Sequence, residues 1–210
     1  MSSPKTDAPL LGEPLPVELM NTIWADRDGV HDALGSPAAT RAWLRSVTDR
    51  EDVSGADVTA WLGSVSEDDL AAVHRDLRAL RDAARRLAAR RTDDTRESAL
   101  MDVEVATAIT SVNAFAASAP AWPVLDWPDE GRPHVSRGSE SAPAPVFVAD
   151  MARATVALLG GDTGHSLRAC QAPGCVLYFI KQHPRRQWCS AGCGNRARQA
   201  RHYRRHHHQH

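Results

Sequence analysis

The chain has four cysteines, Cys170, Cys175, Cys189 and Cys193, all near its C-terminal end. They form two close pairs, C-x4-C and C-x3-C, separated by thirteen residues. Two pairs joined by a hairpin's worth of chain can bring four thiolates to one tetrahedral point, the geometry Zn2+ takes in structural sites. One structural zinc ion is the expected cofactor. A catalytic zinc keeps a water in place of the fourth protein ligand, so a tetrathiolate leaves no position for hydrolytic chemistry. Two disulfides would need an oxidising compartment, and an iron–sulfur cluster would leave the basic helix around it unexplained. No G-x-S-x-G, P-loop, G-x-G-x-x-G or H-E-x-x-H pattern occurs, and an enzyme is not expected.

Positive charge gathers around the same cysteines. Residues 165–210 hold nine Lys or Arg and no Asp or Glu, which leaves sixteen basic against twenty-six acidic residues in 1–164. A surface selected only for solubility mixes both signs, so a polyanion, first of all DNA, is the expected partner. Candidate contacts are Arg185 and Arg186 ahead of the second cysteine pair and Arg196, Arg198, Arg201, His202, Arg204 and Arg205 beyond it. The rival reading is a protein-interaction or RNA-associated adaptor whose basic finger grips an acidic surface without sequence-specific duplex readout. His206, His207, His208 and His210 form a tail that binds transition metals weakly.

These ligands need a scaffold. Gln171 to Gly174 predicts a tight turn between the first two cysteines, and Val176 to Ile180 has strand character. Lys181 to Arg186 makes a polar reversal, and Gln187-Trp188 returns to the metal. From Ser190 onward the composition favours a helix, which puts the second cysteine pair at its first turn. Knuckle, hairpin and ligand-bearing helix describe a treble-clef-like finger over 165–205. So small a unit cannot hold a core unaided, and metal binding and folding should be one event.

Ahead of it the pattern predicts a helical domain over 15–160, after a disordered lead-in at 1–14 and before a hinge at 160–167. The fold class expected is mainly α with a small β-hairpin (α+β). A first helix runs Val17 to Ala25, and Ser36 with Pro37 opens another to about Val47. Ala42-Trp43-Leu44-Arg45-Ser46-Val47 is echoed by Ala60-Trp61-Leu62-Gly63-Ser64-Val65, two Trp-Leu pairs for one core. Ser66 and Asp69 cap a long helix whose stripe is Leu70, Val73, Leu77, Leu80, Ala84 and Leu87. Its arginines, Arg75, Arg78, Arg81, Arg85, Arg86 and Arg90, are expected on a solvated face. Thr95 to Ala117, with Leu100 and Ile109, predicts a largely buried helix. A hairpin pairs Trp122–Trp127 with His134–Arg137 near 122–137. Pro145 starts a last helix with Val156 facing inward, stopped by a left-handed cap at Gly160-Gly161.

No apolar run approaches the roughly 18 residues of a membrane span, and the start has no secretory signal pattern. A cytoplasmic protein without membrane attachment is expected. Trp24, Trp43 and Trp61 are candidates to line a small-molecule pocket in the N-terminal domain, and a homodimer is a candidate assembly.

The run Arg185-Arg186-Gln187-Trp188-Cys189-Ser190 followed by Cys193-Gly194-Asn195-Arg196-Ala197-Arg198 resembles the CGNR zinc-finger family. Leu167-Arg168-Ala169-Cys170, Pro173-Gly174-Cys175 and Tyr178-Phe179 look like that family's knuckle and first strand. Met20-Asn21-Thr22, Ser36-Pro37 and Trp43-Leu44 are similar to the opening of the ABATE domain that many members carry. The resemblance implies a bacterial, stress-induced transcription regulator whose finger binds DNA. Within the motif, Gly194 is expected to permit a close approach, Asn195 to bond the knuckle backbone, and Trp188 to pack beneath the finger. Arg196 either braces the hairpin or contacts phosphate.

Overall fold

The computed structural model describes residues 8–48, 55–96 and 102–207. In chain order these form α1 (Leu15–Met20), β1 (Ile23–Asp26), β2 (Gly29–Asp32), α2 (Pro37–Thr48), α3 (Gly55–Ser64), α4 (Glu67–Arg91) and α5 (Val105–Ala117). Then follow β3 (Trp122–Asp126), β4 (His134–Gly138), α6 (Pro143–Gly160), β5 (Leu167–Ala169), β6 (Tyr178–Ile180) and α7 (Ala191–His207). The architecture is mainly helical, and the strands pair as three small antiparallel ribbons among the described residues.

Local chemistry explains where the helices begin. The Asp69 amide donates to Ser66 Oγ (3.1 Å) and the Ser66 hydroxyl donates back to Asp69 (2.7 Å), a reciprocal cap at the head of α4. The Ala39 amide likewise donates to Ser36 Oγ (3.1 Å) ahead of α2. α4 packs against α5 and α6, and α1 lies across α4 and α6. Trp43 and Leu44 of α2 and Leu62 of α3 enter one core with Leu77 and Leu80 of α4 and Phe147 and Met151 of α6, and Trp61 packs at its edge.

Several expectations give way to the structure. The first helix stops at Met20, because Ile23 and Trp24 favour strand and the Asp28 amide caps on Asp26 (2.8 Å) to close a hairpin. Gly29 sits there at φ +125°, a conformation that disfavours any residue with a Cβ. On α5 only Ala108 and Val112 are buried while Ile109 is exposed, so this helix lies at the side of the core. The predicted start at Thr95 falls short of Val105, and Leu100 lies outside the described residues. α6 begins at Pro143, leaves Val156 exposed, and ends at Gly161 in an extended conformation (φ −94°, ψ 179°). Glycine is needed there for room: a Cβ would stand 2.6 Å from the Ala157 carbonyl oxygen. With 18 residues and a mean hydropathy of 1.2, α6 is also long and apolar enough to cross a membrane, contrary to the sequence expectation. Half of it is buried in the protein, as suits a core helix.

The solvated face of α4 holds at Arg75, Arg78 and Arg90, which are exposed, and is corrected at Arg81 and Arg85. Arg81 and Arg85 are 1% and 0% exposed. Arg81 pairs with Asp32 of β2 (2.5 Å) and with Asp82 (2.9 Å). Arg85 donates to the carbonyls of Met20 (2.7 Å) and Val176 (3.3 Å) and lies 5.3 Å from the Tyr178 ring centroid. Beside them His74 shares a hydrogen bond with Thr40 Oγ1 (2.8 Å). Burial, then the charge of Arg78, pushes His74 below its ordinary 6.5; Asp32 pulls the other way and Arg81 adds to the lowering. The folded state therefore prefers the neutral imidazole. Stability is full above 6.5 and is lost as pH falls below it toward the folded value. His74→Gln should narrow the fall in Tm between pH 7.5 and 5.5 relative to the parent, as measured by circular dichroism.

The lead-in and the hinge are corrected together. Residues 8–14 pack on the protein, and Glu13 is buried, while 1–7 lie outside the described residues. A 3-10 turn at Asp162–Ser166 delivers the chain directly into β5. Leu167, Ala169, Tyr178 and Ile180 of the finger share one apolar cluster with Val17, Met20, Ala84, Ala88 and Leu158 of the body. The finger hairpin is thus built into the body's core.

Candidate metal centre

Leu167 pairs with Ile180 and Ala169 with Tyr178, so Cys170 and Cys175 sit in the loop that closes the β5–β6 hairpin. The strand partner precedes the first cysteine. Gln187-Trp188, expected as the returning strand, lies in a loop, because six residues after β6 are taken up by the polar reversal. The Cys175 amide donates to the Ala172 carbonyl (2.9 Å), and Gly174 takes φ +71°, which closes the knuckle. Cys189 precedes α7 and Cys193 occupies its first turn, where its amide donates to Ser190 Oγ (3.3 Å).

All four sulfurs are buried and lie within 4.8 Å of one another. Cys175 Sγ is 3.8 Å from Cys189 Sγ, which is 3.3 Å from Cys193 Sγ. Tetrahedral zinc with Zn–S bonds near 2.3 Å requires S···S edges of about 3.8 Å. Donor type, number and spacing fit a single Zn2+. Among the thiols alone, hydrogen bonds within the cluster draw Cys193 down and Cys170 down to about 7, and push Cys175 and Cys189 up. Zn2+ held by the four sulfurs would displace the shared protons and give a group of net charge −2.

Two arginines brace this group, one per cysteine pair. Arg96, from the segment after α4, donates through Nη1 to the carbonyls of Cys170 (2.8 Å) and Cys175 (2.7 Å). Its other nitrogens bind Asp94 (Nε to Oδ1 2.7 Å, Nη2 to Oδ2 2.6 Å), whose side chain is fully buried. Burial disfavours the Asp94 carboxylate, yet Arg96 and the Tyr178 hydroxyl (2.9 Å) outweigh it and hold Asp94 below the usual carboxylate range. Asp93 turns the chain toward the knuckle with φ +49° at the end of α4. Arg186 serves the second pair. It donates to the carbonyls of Cys189 (3.0 Å) and Ile180 (3.1 Å), lies 5.0 Å from the Phe179 ring centroid, and is held by buried Glu13 (2.5 Å).

Further bonds close the join. Asn21 presents its carboxamide to the edge of β6, donating to the Tyr178 carbonyl (3.0 Å) and accepting from the Tyr178 amide (2.9 Å). Glu13 accepts from the Ile180 amide (2.9 Å). Apolar contacts complete it, since Ile23, Trp24 and Ala25 of β1 pack against the cluster containing the four cysteines. Trp24 therefore belongs to the finger while Trp43 and Trp61 belong to the main core, and the three do not line one pocket.

The basic residues divide by geometry. Arg186 is turned inward, as described. Arg196 donates to Cys193 Sγ (3.1 Å), which offsets thiolate charge. Gly194 lies under Trp188, and a Cβ there would stand 3.1 Å from the indole, so close approach is the reason for glycine. Asn195, expected to bond the knuckle backbone, instead accepts from Arg198 on the exposed side of α7. Arg185, Arg198, Arg201, His202, Arg204 and Arg205 are exposed. By helical periodicity Arg198, Arg201, His202 and Arg205 share one face, and Arg204 continues the side of Cys193 and Ala197. The side chains of 206–210 lie outside the described residues.

Sequence reasoning missed Glu13, Asn21, Arg85, Asp94 and Arg96, each of which has a partner remote in the chain; the one local signal is that Asp94 and Arg96, two residues apart, also pair with each other. A search of curated proteins finds no match to the chain. Residues 166–206 match the CGNR zinc finger, and residues 13–162 match ABATE, described as "Putative stress-induced transcription regulator". Neither description is of an enzyme. With most of its length covered by the first and all four clustered thiols by the second, the chain belongs to the ABATE family and carries a C-terminal CGNR zinc finger.

Proposed function

We propose that the protein is a DNA-binding transcription regulator in which zinc fixes the start of α7 and the exposed face of that helix contacts DNA. The observation that carries this reading is the placement of Arg198, Arg201, His202 and Arg205 along one exposed face of a helix that starts at a metal ligand. Arg204 lies beside that face on the helix and Arg185 is exposed in the loop ahead of Cys189, whereas Arg186 and Arg196 act on the finger itself. An acidic body and a finger without acidic residues orient the molecule toward a polyanion. One finger buries little DNA surface, so a dimer formed through the body, or a ligand sensed there, would supply the remaining selectivity. Sedimentation equilibrium of the zinc-loaded protein checks the dimer.

Duplex selection followed by mobility shifts tests the reading. If four to six phosphates are neutralised, log affinity should fall against log salt with a slope of roughly −4 to −5. Arg201→Ala/Arg205→Ala should make that slope shallower by about two and weaken binding across sequences. Binding that shows no preference among duplex sequences would favour the adaptor reading, and no salt-dependent binding at all would remove nucleic acid as the partner.

A further inference from the structure

α5 contains no charged residue, yet only Ala108 and Val112 of its 13 residues are buried. Ala106, Thr110, Asn113 and Ala117 lie on its outward side and are exposed. A helix face turned to water ordinarily carries charge, and this one belongs to a body with sixteen basic and twenty-six acidic residues. Small neutral side chains let a second helix approach closely without like-charge repulsion.

Beside this face runs a groove of about 590 Å3 between α5 and the C-terminal ends of α4 and α6. Leu87, Val112 and Leu159 form its floor, while Ile109 and Val156 stand at its edge, 48% and 43% exposed. The α4 end of the groove holds Arg90 and Asp93, of opposite sign, and neither makes an ion pair among the described residues. Asn113 at the rim, likewise without a side-chain partner among the described residues, offers both a donor and an acceptor. One surface therefore carries an apolar knob and an apolar hollow, a cation and an anion, a donor and an acceptor. Such a surface is complementary to itself, as a two-fold contact requires, because there each residue pair occurs twice.

We propose that the α5–α6 face is the interface with a second copy of this chain, the two copies related by a two-fold axis and each Ile109 seated in the other's groove. Net charge argues for the same occupant: a basic partner would be drawn to the acidic faces of the body instead, and a nucleic acid to the finger. The interface rests on the dimer invoked for DNA recognition and gives it a surface. Its test contains no DNA, so failure of the interface and failure of DNA binding are read apart.

Sedimentation equilibrium of the full-length, zinc-loaded protein reads the association directly. The parent should form a dimer that dissociates in the micromolar range. Ile109→Glu and Val156→Glu, both at exposed positions of the single chain, should each raise the dissociation constant at least about thirtyfold, the scale for losing an interface anchor. Their circular dichroism spectra and zinc content should match the parent's. Val135→Glu, on the exposed apolar side of β4, is the control and should dimerise like the parent. The proposal is overturned if the parent is still monomeric at about 100 µM, if either Ile109→Glu or Val156→Glu dimerises like the parent, or if Val135→Glu disrupts the dimer as strongly.

Discussion

Replacing Cys193 with serine, or removing zinc with a chelator, is expected to unfold residues 165–207 and to destabilise the body with them. Structural zinc contributes about 10–16 kcal/mol of apparent binding free energy at neutral pH, against a typical net stability of about 5–15 kcal/mol. Loss of the metal therefore outweighs what ordinary packing can restore. The body suffers too, because Leu167, Tyr178 and Ile180 complete the apolar cluster around Val17, Met20 and Ala84. Once they leave, the buried carboxylates of Asp94 and Glu13 lose partners. Thermal melts followed by circular dichroism should show Tm lower by at least about 10 °C, since about 2–4 °C accompanies each kcal/mol at this chain length. Fluorescence should red-shift as Trp24 and Trp188, which flank the thiolates, become exposed. An unchanged melt in the presence of chelator would show that the body does not lean on the finger.

The second large effect is expected at Arg96. Arg96→Ala strips the fork from the Cys170 and Cys175 carbonyls and leaves Asp94, whose carboxylate has no exposure, with the Tyr178 hydroxyl but without its cation. Breaking a buried pair from one side costs about 3–5 kcal/mol, which corresponds to a fall in Tm of roughly 10 °C. Zinc should also leave about 10- to 100-fold faster, the usual scale for losing a group that orients metal ligands. Asp94→Asn should do less harm, because its amide oxygen still accepts from Arg96. The double substitution Arg96→Met/Asp94→Leu, which removes both charges, should recover much of the stability while zinc release stays fast. Competition with a chromogenic chelator measures the release. Equal release rates in Arg96→Ala and the parent would make Arg96 a contributor to folding alone.

The contrast between these two sites shows what could be read in the residues. Cys170, Cys175, Cys189 and Cys193 announce themselves because metal ligation depends on spacing and on one donor type. Ser66 and Asp69 are equally legible, since a cap is satisfied within one turn of chain. The stripe of Leu70, Val73, Leu77 and Leu80 follows helical period, and all four are buried. Arg81 and Arg85 follow the same period, yet a periodicity argument sends charge to solvent. Their burial depends on Asp32 and on carbonyls of Met20 and Val176, up to 91 residues away. Asn21 meets Tyr178 across 157 positions, and nothing near Asn21 announces it. β5 has three residues, too few for an alternating pattern, so the sequence points to Gln187-Trp188 and not to Leu167–Ala169 as the partner of β6. The sequence predicts a hinge at 160–167, but the crowding at Gly161 and Gly164 marks tight packing.

The central claim is that metal centre and helical body form one cooperative structure, locked by Arg96 on Asp94, Arg186 on Glu13, and Asn21 on β6. One thermal ramp of the zinc-loaded protein, with circular dichroism at 222 nm and zinc release to a chromogenic chelator recorded together, tests it most directly. The helical signal should be lost and zinc released in a single coincident transition. Zinc released, and the finger melted, well below the temperature at which the body unfolds would contradict it.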